Sequence, residues 1–166
     1  SLALGAVLGP WAFVAAIIGV ALAWAYSAPP LRLKRDGWWG PAIVGLSYEG
    51  LAWFTGAAVV LGALPNGMIL TLAALYSIGA HGIMTLNDFK AIEGDTRFGV
   101  NSLPVTLGAP KAAKIACLVM AVPQVIVVGL LVAWDRPVHG LIVAVLLAVQ
   151  FRLMAVLLKA PRVPRR

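Results

Sequence analysis

Five long apolar runs dominate the sequence and limit what it can fold into. Each holds about twenty residues, the length that an α-helix needs to cross the hydrocarbon core of a membrane. The chain is 61% hydrophobic and only 11% charged, whereas soluble domains carry roughly 25% charged residues. We therefore predict an all-α, polytopic transmembrane helix bundle in one domain over residues 1–166. The five predicted helices cover residues 2–26, 41–64, 68–86, 112–134 and 138–158.

Basic residues lie mainly between the apolar runs and give the chain a net charge of +7. They concentrate in residues 27–40, in residues 87–111 and in the tail 159–166, while the other two connections carry almost no net charge. Because positively charged loops are retained in the cytoplasm, we expect these three segments on the cytoplasmic side. Membrane topology and attraction for phosphate thus explain the basic excess, and binding to nucleic acid is not predicted.

Three of the six carboxylates of the chain fall in residues 87–95, directly after the third apolar run. Asp88 and Asp95 would share one face of a continuous helix, about 10 Å apart along its axis. Gly94 is expected to break that helix and to let Glu93 and Asp95 turn back toward Asp88. Carboxylates in this arrangement favour Mg2+, which combines a few protein carboxylates with phosphate oxygens of a substrate. The alternative is a solvated loop with ordinary surface acids.

Basic side chains are expected at the same end of the bundle as these acids. Guanidinium and ammonium groups beside a carboxylate-bound Mg2+ suit a diphosphate, because metal and cations together neutralise its charge. Each of them could instead serve only to set the topology. The candidate diphosphate-binding residues are Arg32, Lys34, Arg35, Lys90 and Arg97.

A few polar side chains lie inside the apolar runs. Glu49 is costly at membrane depth and predicts a functional role unless it is paired. His81 precedes Asp88 by seven residues on nearly the same helix face, so it could contact a substrate or bond to a neighbouring helix. Trp53 could line a pocket for a flat ring, and Tyr48 adjoins Glu49. The single cysteine excludes a disulfide framework, and no zinc, nucleophile-elbow or Walker-type motif occurs.

Several segments resemble the UbiA-type intramembrane prenyltransferases. Residues 87–95 (NDFKAIEGD) with 97–105 (RFGVNSLPV) are similar to the second aspartate-rich motif of that family. Residues 26–35 and 37–40 resemble the branch of chlorophyll and bacteriochlorophyll synthases, as does the segment 48–54. The resemblance implies a fold of nine helices with two acidic motifs. It also implies that this chain is the C-terminal part, truncated at both ends, without the first motif and the last helix.

The resemblance further implies a reaction. Mg2+, held by Asp88 and Asp95 with Glu93 in support, would bind geranylgeranyl or phytyl diphosphate together with the basic groups. The acceptor would be the propionate of bacteriochlorophyllide, and Tyr48, Glu49, Trp53 and His81 would line the substrate pocket. It also implies a location in the bacterial inner (photosynthetic) membrane, with other photosynthetic membrane proteins as partners alongside the lipid bilayer.

Three alternatives remain open at this point. A prenyltransferase of the same superfamily could act on a quinone or haem precursor. A transporter or channel fragment could use Glu49, His81 and Asp88 along an ion path. A non-enzymatic pigment-binding membrane subunit would hold the tetrapyrrole without consuming a diphosphate.

Overall fold

The computed structural model describes residues 1–161, and these residues form helices joined by short loops with no β-strand among them. Five helices are long and apolar enough to cross a membrane, which confirms the predicted all-α transmembrane bundle. The basic tail is predicted to be cytoplasmic, but its residues 162–166 lie outside the described part of the chain. The helices are α1 (Leu2–Leu8), α2 (Pro10–Ser27), α3 (Trp39–Gly45), α4 (Leu51–Leu61), α5 (Gly67–Asp88), α6 (Ile92–Phe98), α7 (Leu103–Leu107), α8 (Ala109–Ala133) and α9 (Pro137–Lys159).

The first apolar run is not one helix, so the prediction of a single helix over residues 2–26 is wrong. The chain turns at Gly9, whose φ of 119° is open to glycine but strained for other residues. Pro10 then starts α2 at the position where its missing N–H costs nothing. The short helix α1 folds back on α2, and Gly5 lets the two backbones approach, because a Cβ there would lie 3.1 Å from the Ala12 carbonyl oxygen.

Helices α3 and α4 form one membrane span that contains a π-helical turn, Leu46–Gly50. The turn packs against α5 through glycines. A Cβ at Gly45 would lie 2.5 Å from the Ser77 carbonyl oxygen, and a Cβ at Gly50 would lie 2.6 Å from the Ser77 hydroxyl oxygen. π-helical turns occur frequently at functional sites, and this one carries Tyr48 and Glu49.

The core of the bundle lies where α8 packs between α5 and α9. Small side chains allow this contact: Ala112, Ala113 and Ala116 on α8 are completely buried. Gly82 on α5 meets α8 so closely that a Cβ there would lie 2.6 Å from the Ala116 carbonyl oxygen. Close approach through small residues is the usual way in which helices associate in lipid, where no hydrophobic force drives them together.

Candidate active site

Two loops at one end of the bundle are joined by backbone hydrogen bonds. They are the basic loop, residues 28–38, and the acidic loop, residues 89–102. The Asn101 amide donates to the Arg35 carbonyl oxygen at 2.9 Å, and the Gly37 amide donates to the Asn101 carbonyl oxygen at 2.9 Å. We call this contact the loop clasp. It confirms that the basic and acidic loops lie at the same end of the bundle.

Two residues of the basic loop stabilise the loop clasp: Arg35 through its side chain, and Gly37 because it has none. Arg35 Nη2 donates to the carbonyl oxygens of Phe98 at 3.3 Å and Gly99 at 3.0 Å. A Cβ at Gly37 would lie only 2.5 Å from the Leu103 amide nitrogen. Arg35 was predicted as a diphosphate ligand, and in the structure its guanidinium bonds to the acidic loop.

The acidic loop turns Asp95 back toward Asp88, but the helix breaks at another place than predicted. Helix α5 ends at Asp88, and residues 89–91 make short i to i+3 hydrogen bonds that tighten and end it. Gly94 lies inside α6, so the prediction that Gly94 breaks the helix is wrong. A tightened last turn reverses the chain direction without needing a glycine.

Asp88 and Asp95 line one cavity of about 90 Å³ at the loop end of the bundle. The two carboxylates are close enough for their charges to repel each other. Asp95 is further held by the Ser102 hydroxyl, which donates to its Oδ2 at 2.7 Å. Lys34 on the basic loop lines the same cavity. The loop clasp thus brings one cation to two acids that lie more than fifty residues away in sequence.

The donor set of this cavity fits a hard divalent cation that shares its coordination with a substrate. Among residues 1–161, no group of three or more His, Cys, Asp or Glu side chains forms a complete metal cage. Two carboxylates and a lysine do suit Mg2+ bound together with phosphate oxygens, because Mg2+ commonly takes only one or two protein carboxylates.

Sequence reasoning missed three polar residues at this cavity, Tyr26, Asp36 and Ser102. Asp36 lines it, and its Oδ1 accepts hydrogen bonds from the backbone amides of Trp38 and Trp39, both at 2.8 Å. An aspartate just before an apolar run is a helix-capping signal, so this role could have been read from the sequence. Ser102 carries no comparable local signal, because only the fold brings it to Asp95.

The remaining predicted charged residues are at the same end but do not line the cavity. Lys90 Nζ donates to Asn87 Oδ1 at 3.3 Å, and the Arg97 guanidinium lies 5.8 Å from the centre of the Phe98 ring. All of these side chains are exposed, and the basic ones among them are free to attract an anion toward the site. The exposed residues are Arg32, Lys90, Glu93 and Arg97.

A larger cavity of about 620 Å³ continues from the acidic cavity into the membrane region. The two cavities share Tyr26, Val44 and Met84 in their linings. Tyr48 and Glu49, both predicted pocket residues, line the larger cavity. Trp53 lies beside it, where its indole Nε1 donates to Glu49 Oε2 at 3.1 Å. This bond pairs the membrane carboxylate with a neutral donor.

His81 lies away from the cavity linings and joins two helices. Its Nε2 lies 3.1 Å from the Trp38 carbonyl oxygen, and its ring centre lies 5.7 Å from that of Trp38. Thr85 packs directly below it and donates to the His81 carbonyl oxygen at 3.0 Å. Of the two roles considered for His81, the structure supports the bond to a neighbouring helix.

Comparison with known proteins places this arrangement in a family. The model of the UbiA prenyltransferase family matches residues 1–165. The bacteriochlorophyll synthase 33 kDa chain of Cereibacter sphaeroides is 59% identical over 161 residues, and that of Rhodobacter capsulatus is 54% identical over 164 residues. Both alignments cover 97% of this chain. The chloroplastic chlorophyll synthase of Oryza sativa is 41% identical over 147 residues, which are 84% of this chain and 39% of that protein.

The chain spans about half the length of the curated relatives that it matches, 53% of the Cereibacter protein and 54% of the Rhodobacter protein. No solved structure matches it. The five apolar helices and the family match show that the chain is an integral membrane protein. Residues 87–95 and the whole helical bundle lie within the matched region, and the chain belongs to the UbiA prenyltransferase family.

Proposed function

We propose that this chain is the C-terminal part of an enzyme that transfers a geranylgeranyl or phytyl group from its diphosphate to the propionate of bacteriochlorophyllide. This reaction belongs to the last steps of bacteriochlorophyll biosynthesis. The observation that carries the proposal is the acidic cavity, which Asp88, Asp95 and Lys34 line together and which adjoins a larger cavity. The names of the bacterial relatives supply the acceptor.

Four residues of the acidic cavity have a role in this proposal. Asp88 and Asp95 would hold Mg2+, and Lys34 would bind the diphosphate oxygens. Ser102 keeps the Asp95 carboxylate in position through its 2.7 Å bond. Bound Mg2+ supplies charge neutralisation, which makes the diphosphate a better leaving group. The exposed cations nearby draw the diphosphate toward this end of the bundle.

The acceptor chemistry needs no strong base. A propionate with a pKa of about 4–5 is already ionised at neutral pH. Its carboxylate oxygen attacks the first carbon of the prenyl chain, the bond from that carbon to the diphosphate oxygen breaks, and the diphosphate leaves with the electron pair. The larger cavity adjoins the acids and gives the hydrophobic parts of both substrates a place among the helices, with Tyr48 and Glu49 in its wall.

The proposal includes a location. The loop end of the bundle faces the cytoplasm of a bacterial inner (photosynthetic) membrane, because the basic loops gather there. The charged diphosphate and Mg2+ then reach the acids from water, while both hydrophobic substrates arrive from the bilayer. Other photosynthetic membrane proteins are proposed as neighbours that receive the pigment.

The experiment is an esterification assay on the complete enzyme in detergent, with bacteriochlorophyllide and geranylgeranyl diphosphate, with and without Mg2+. Asp88→Asn and Asp95→Asn should each lower Mg2+-dependent turnover by about 100-fold or more, since each removes a charge that stabilises the leaving group through the metal. Asp135→Asn is the matched control. It makes the same change in the turn between α8 and α9, where the positive φ of 57° also suits asparagine.

The outcomes separate the parts of the proposal. Full activity in both cavity variants would show that the metal assignment is wrong. A wild-type enzyme that binds the diphosphate with Mg2+ but leaves bacteriochlorophyllide unesterified would refute the acceptor, and quinone and haem precursors would then be tested.

A further inference from the structure

A third cavity, of about 220 Å³, lies deeper in the bundle among α5, α8 and α9. It adjoins the 620 Å³ cavity, with which it shares Glu49, Ala80 and Ile83. The three cavities therefore follow one another from the acidic loop into the membrane interior. The wall of the deepest one includes Glu49, Tyr76, Gly79, Ile83, Gln124 and Gln150.

Two glutamines are the unusual feature of this wall. Gln124 Nε2 donates to Gln150 Oε1 at 2.8 Å, which joins α8 to α9. Gln150 Nε2 is buried and has no hydrogen-bond partner anywhere in residues 1–161. Exchanging oxygen and nitrogen in both amides would leave the NH2 group of the other glutamine without a partner, because two amides joined by one bond always leave one NH2 group unpaired.

An unpaired amide at this depth points to a ligand with an acceptor oxygen. Burying a donor without a partner is unfavourable, and the bilayer offers no water to satisfy it. The side chain that carries this free N–H also lines the cavity. The remainder of the wall is mainly apolar and aromatic, with Tyr76 stacked on Trp53 at 5.2 Å between ring centres.

The depth of the cavity selects among acceptors. The α5 residues of its wall run from Ile83 to Leu75, five to thirteen residues before Asp88, which is roughly 8–20 Å along the helix axis. A tetrapyrrole whose propionate is at the acidic cavity extends into this cavity with another part of its ring. An acceptor with a single aromatic ring does not reach the far end of the cavity from the acids.

We propose that Gln150, positioned by Gln124, determines acceptor specificity by donating a hydrogen bond to a carbonyl group on the tetrapyrrole macrocycle. This inference rests on the proposed function, because it takes the tetrapyrrole as the acceptor. It adds the residue pair that recognises the ring, at a distance from the acids that hold the diphosphate. The Gln124–Gln150 bond fixes the direction of the donor, as second-layer bonds do for other functional groups.

The direct test is resonance Raman spectroscopy of bacteriochlorophyllide bound to the complete enzyme without prenyl diphosphate. A carbonyl stretching band should lie at lower frequency in the wild type than for the same pigment in an aprotic solvent. Gln150→Leu should return that band to the solvent position. Val149→Leu is the control, since the Val149 side chain is exposed on the same helix and lies outside this cavity.

Kinetics provide the second readout. Gln150→Leu should raise the KM for bacteriochlorophyllide about fivefold, the typical net effect of one neutral hydrogen bond. The KM for geranylgeranyl diphosphate and the Mg2+ dependence should not change, because the acidic cavity is untouched. A Gln150→Leu protein that does not fold leaves the wild-type spectrum decisive, since that spectrum requires no variant.

Two results would overturn the inference in distinguishable ways. If the wild type esterifies the tetrapyrrole but every carbonyl band stays at its solvent position, Gln150 is not a donor to the ring, while the proposed function stands. If the wild type neither binds nor esterifies the tetrapyrrole, the proposed function fails and this assignment fails with it.

Discussion

Replacing Gly37 by alanine should open the loop clasp. The new Cβ would lie 2.5 Å from the Leu103 amide nitrogen and 2.7 Å from the Asn101 carbonyl oxygen, whereas ordinary contacts begin at 3.4 Å. Both obstacles are backbone atoms, so no side chain can rotate away. The two loops must separate by about 0.9 Å to reach ordinary contact.

A separation of this size is enough to break the loop clasp. If the movement lies along the bonds, the two 2.9 Å bonds formed by Asn101 lengthen beyond the usual limit of about 3.2 Å. Losing both costs about 1–3 kcal/mol. Lys34 then moves away from Asp88 and Asp95 by a similar distance, and misplacement by about 1 Å can lower a reaction rate by about 100-fold.

The assay combines turnover with hydrogen exchange of the peptide that contains Asn101. Gly37→Ala should lower turnover by about 100-fold and remove the exchange protection of the Asn101 amide. Gly94→Ala is the control, because a Cβ at Gly94 meets nothing within 4 Å and the helical site favours alanine. A Gly37→Ala enzyme with normal turnover and normal protection would refute the role assigned to the loop clasp.

Three further changes test other contacts. Ser102→Ala removes the bond to Asp95, so the Mg2+ concentration for half-maximal activity should rise about tenfold in a metal titration. Gly82→Ala pushes a methyl group into α8 and should destabilise the bundle by about 1–3 kcal/mol in an unfolding titration, whereas Gly79→Ala, which meets open space, should not. Arg35→Lys should lower the unfolding temperature, because one ammonium group cannot reproduce the two carbonyl bonds of the guanidinium; an unchanged temperature would contradict that role.

The sequence predicted the membrane spans because their signal is local. An apolar run of about twenty residues is sufficient on its own, and the structure confirmed five spans. The alternation of basic loops likewise placed Lys34 and Asp88 at one end of the bundle. The prediction of a single helix over the first apolar run failed because two residues, Gly9 and Pro10, turn the chain inside an otherwise continuous apolar pattern.

The parts of the site that sequence reasoning missed depend on long-range pairing. Arg35 and Gly99 are 64 residues apart, and nothing local distinguishes an arginine that holds a loop from one that binds phosphate. The role of Ser102 can be recognised only in the folded structure, where the turn of the acidic loop brings Ser102 to Asp95. Gln124 and Gln150 could have been identified, because an amide in the middle of an apolar run is costly for the same reason as the carboxylate of Glu49.

Different interactions dominate at the two ends of the cavity system, so substitutions at the two ends should affect different steps of catalysis. At the loop end, charges act in water and across a small cavity, so binding there depends on salt and Mg2+, and the loop clasp must hold the charges together. In the membrane interior, few polar groups face an apolar wall, so a single hydrogen bond can distinguish one acceptor from another. Changes at Asp88 or Lys34 should therefore alter the handling of the diphosphate, and changes at Gln150 should alter the choice of acceptor. An exchange of these effects, with Gln150→Leu altering the Mg2+ requirement while Asp88→Asn altered only the KM for the acceptor, would mean that the substrates bind in the opposite direction.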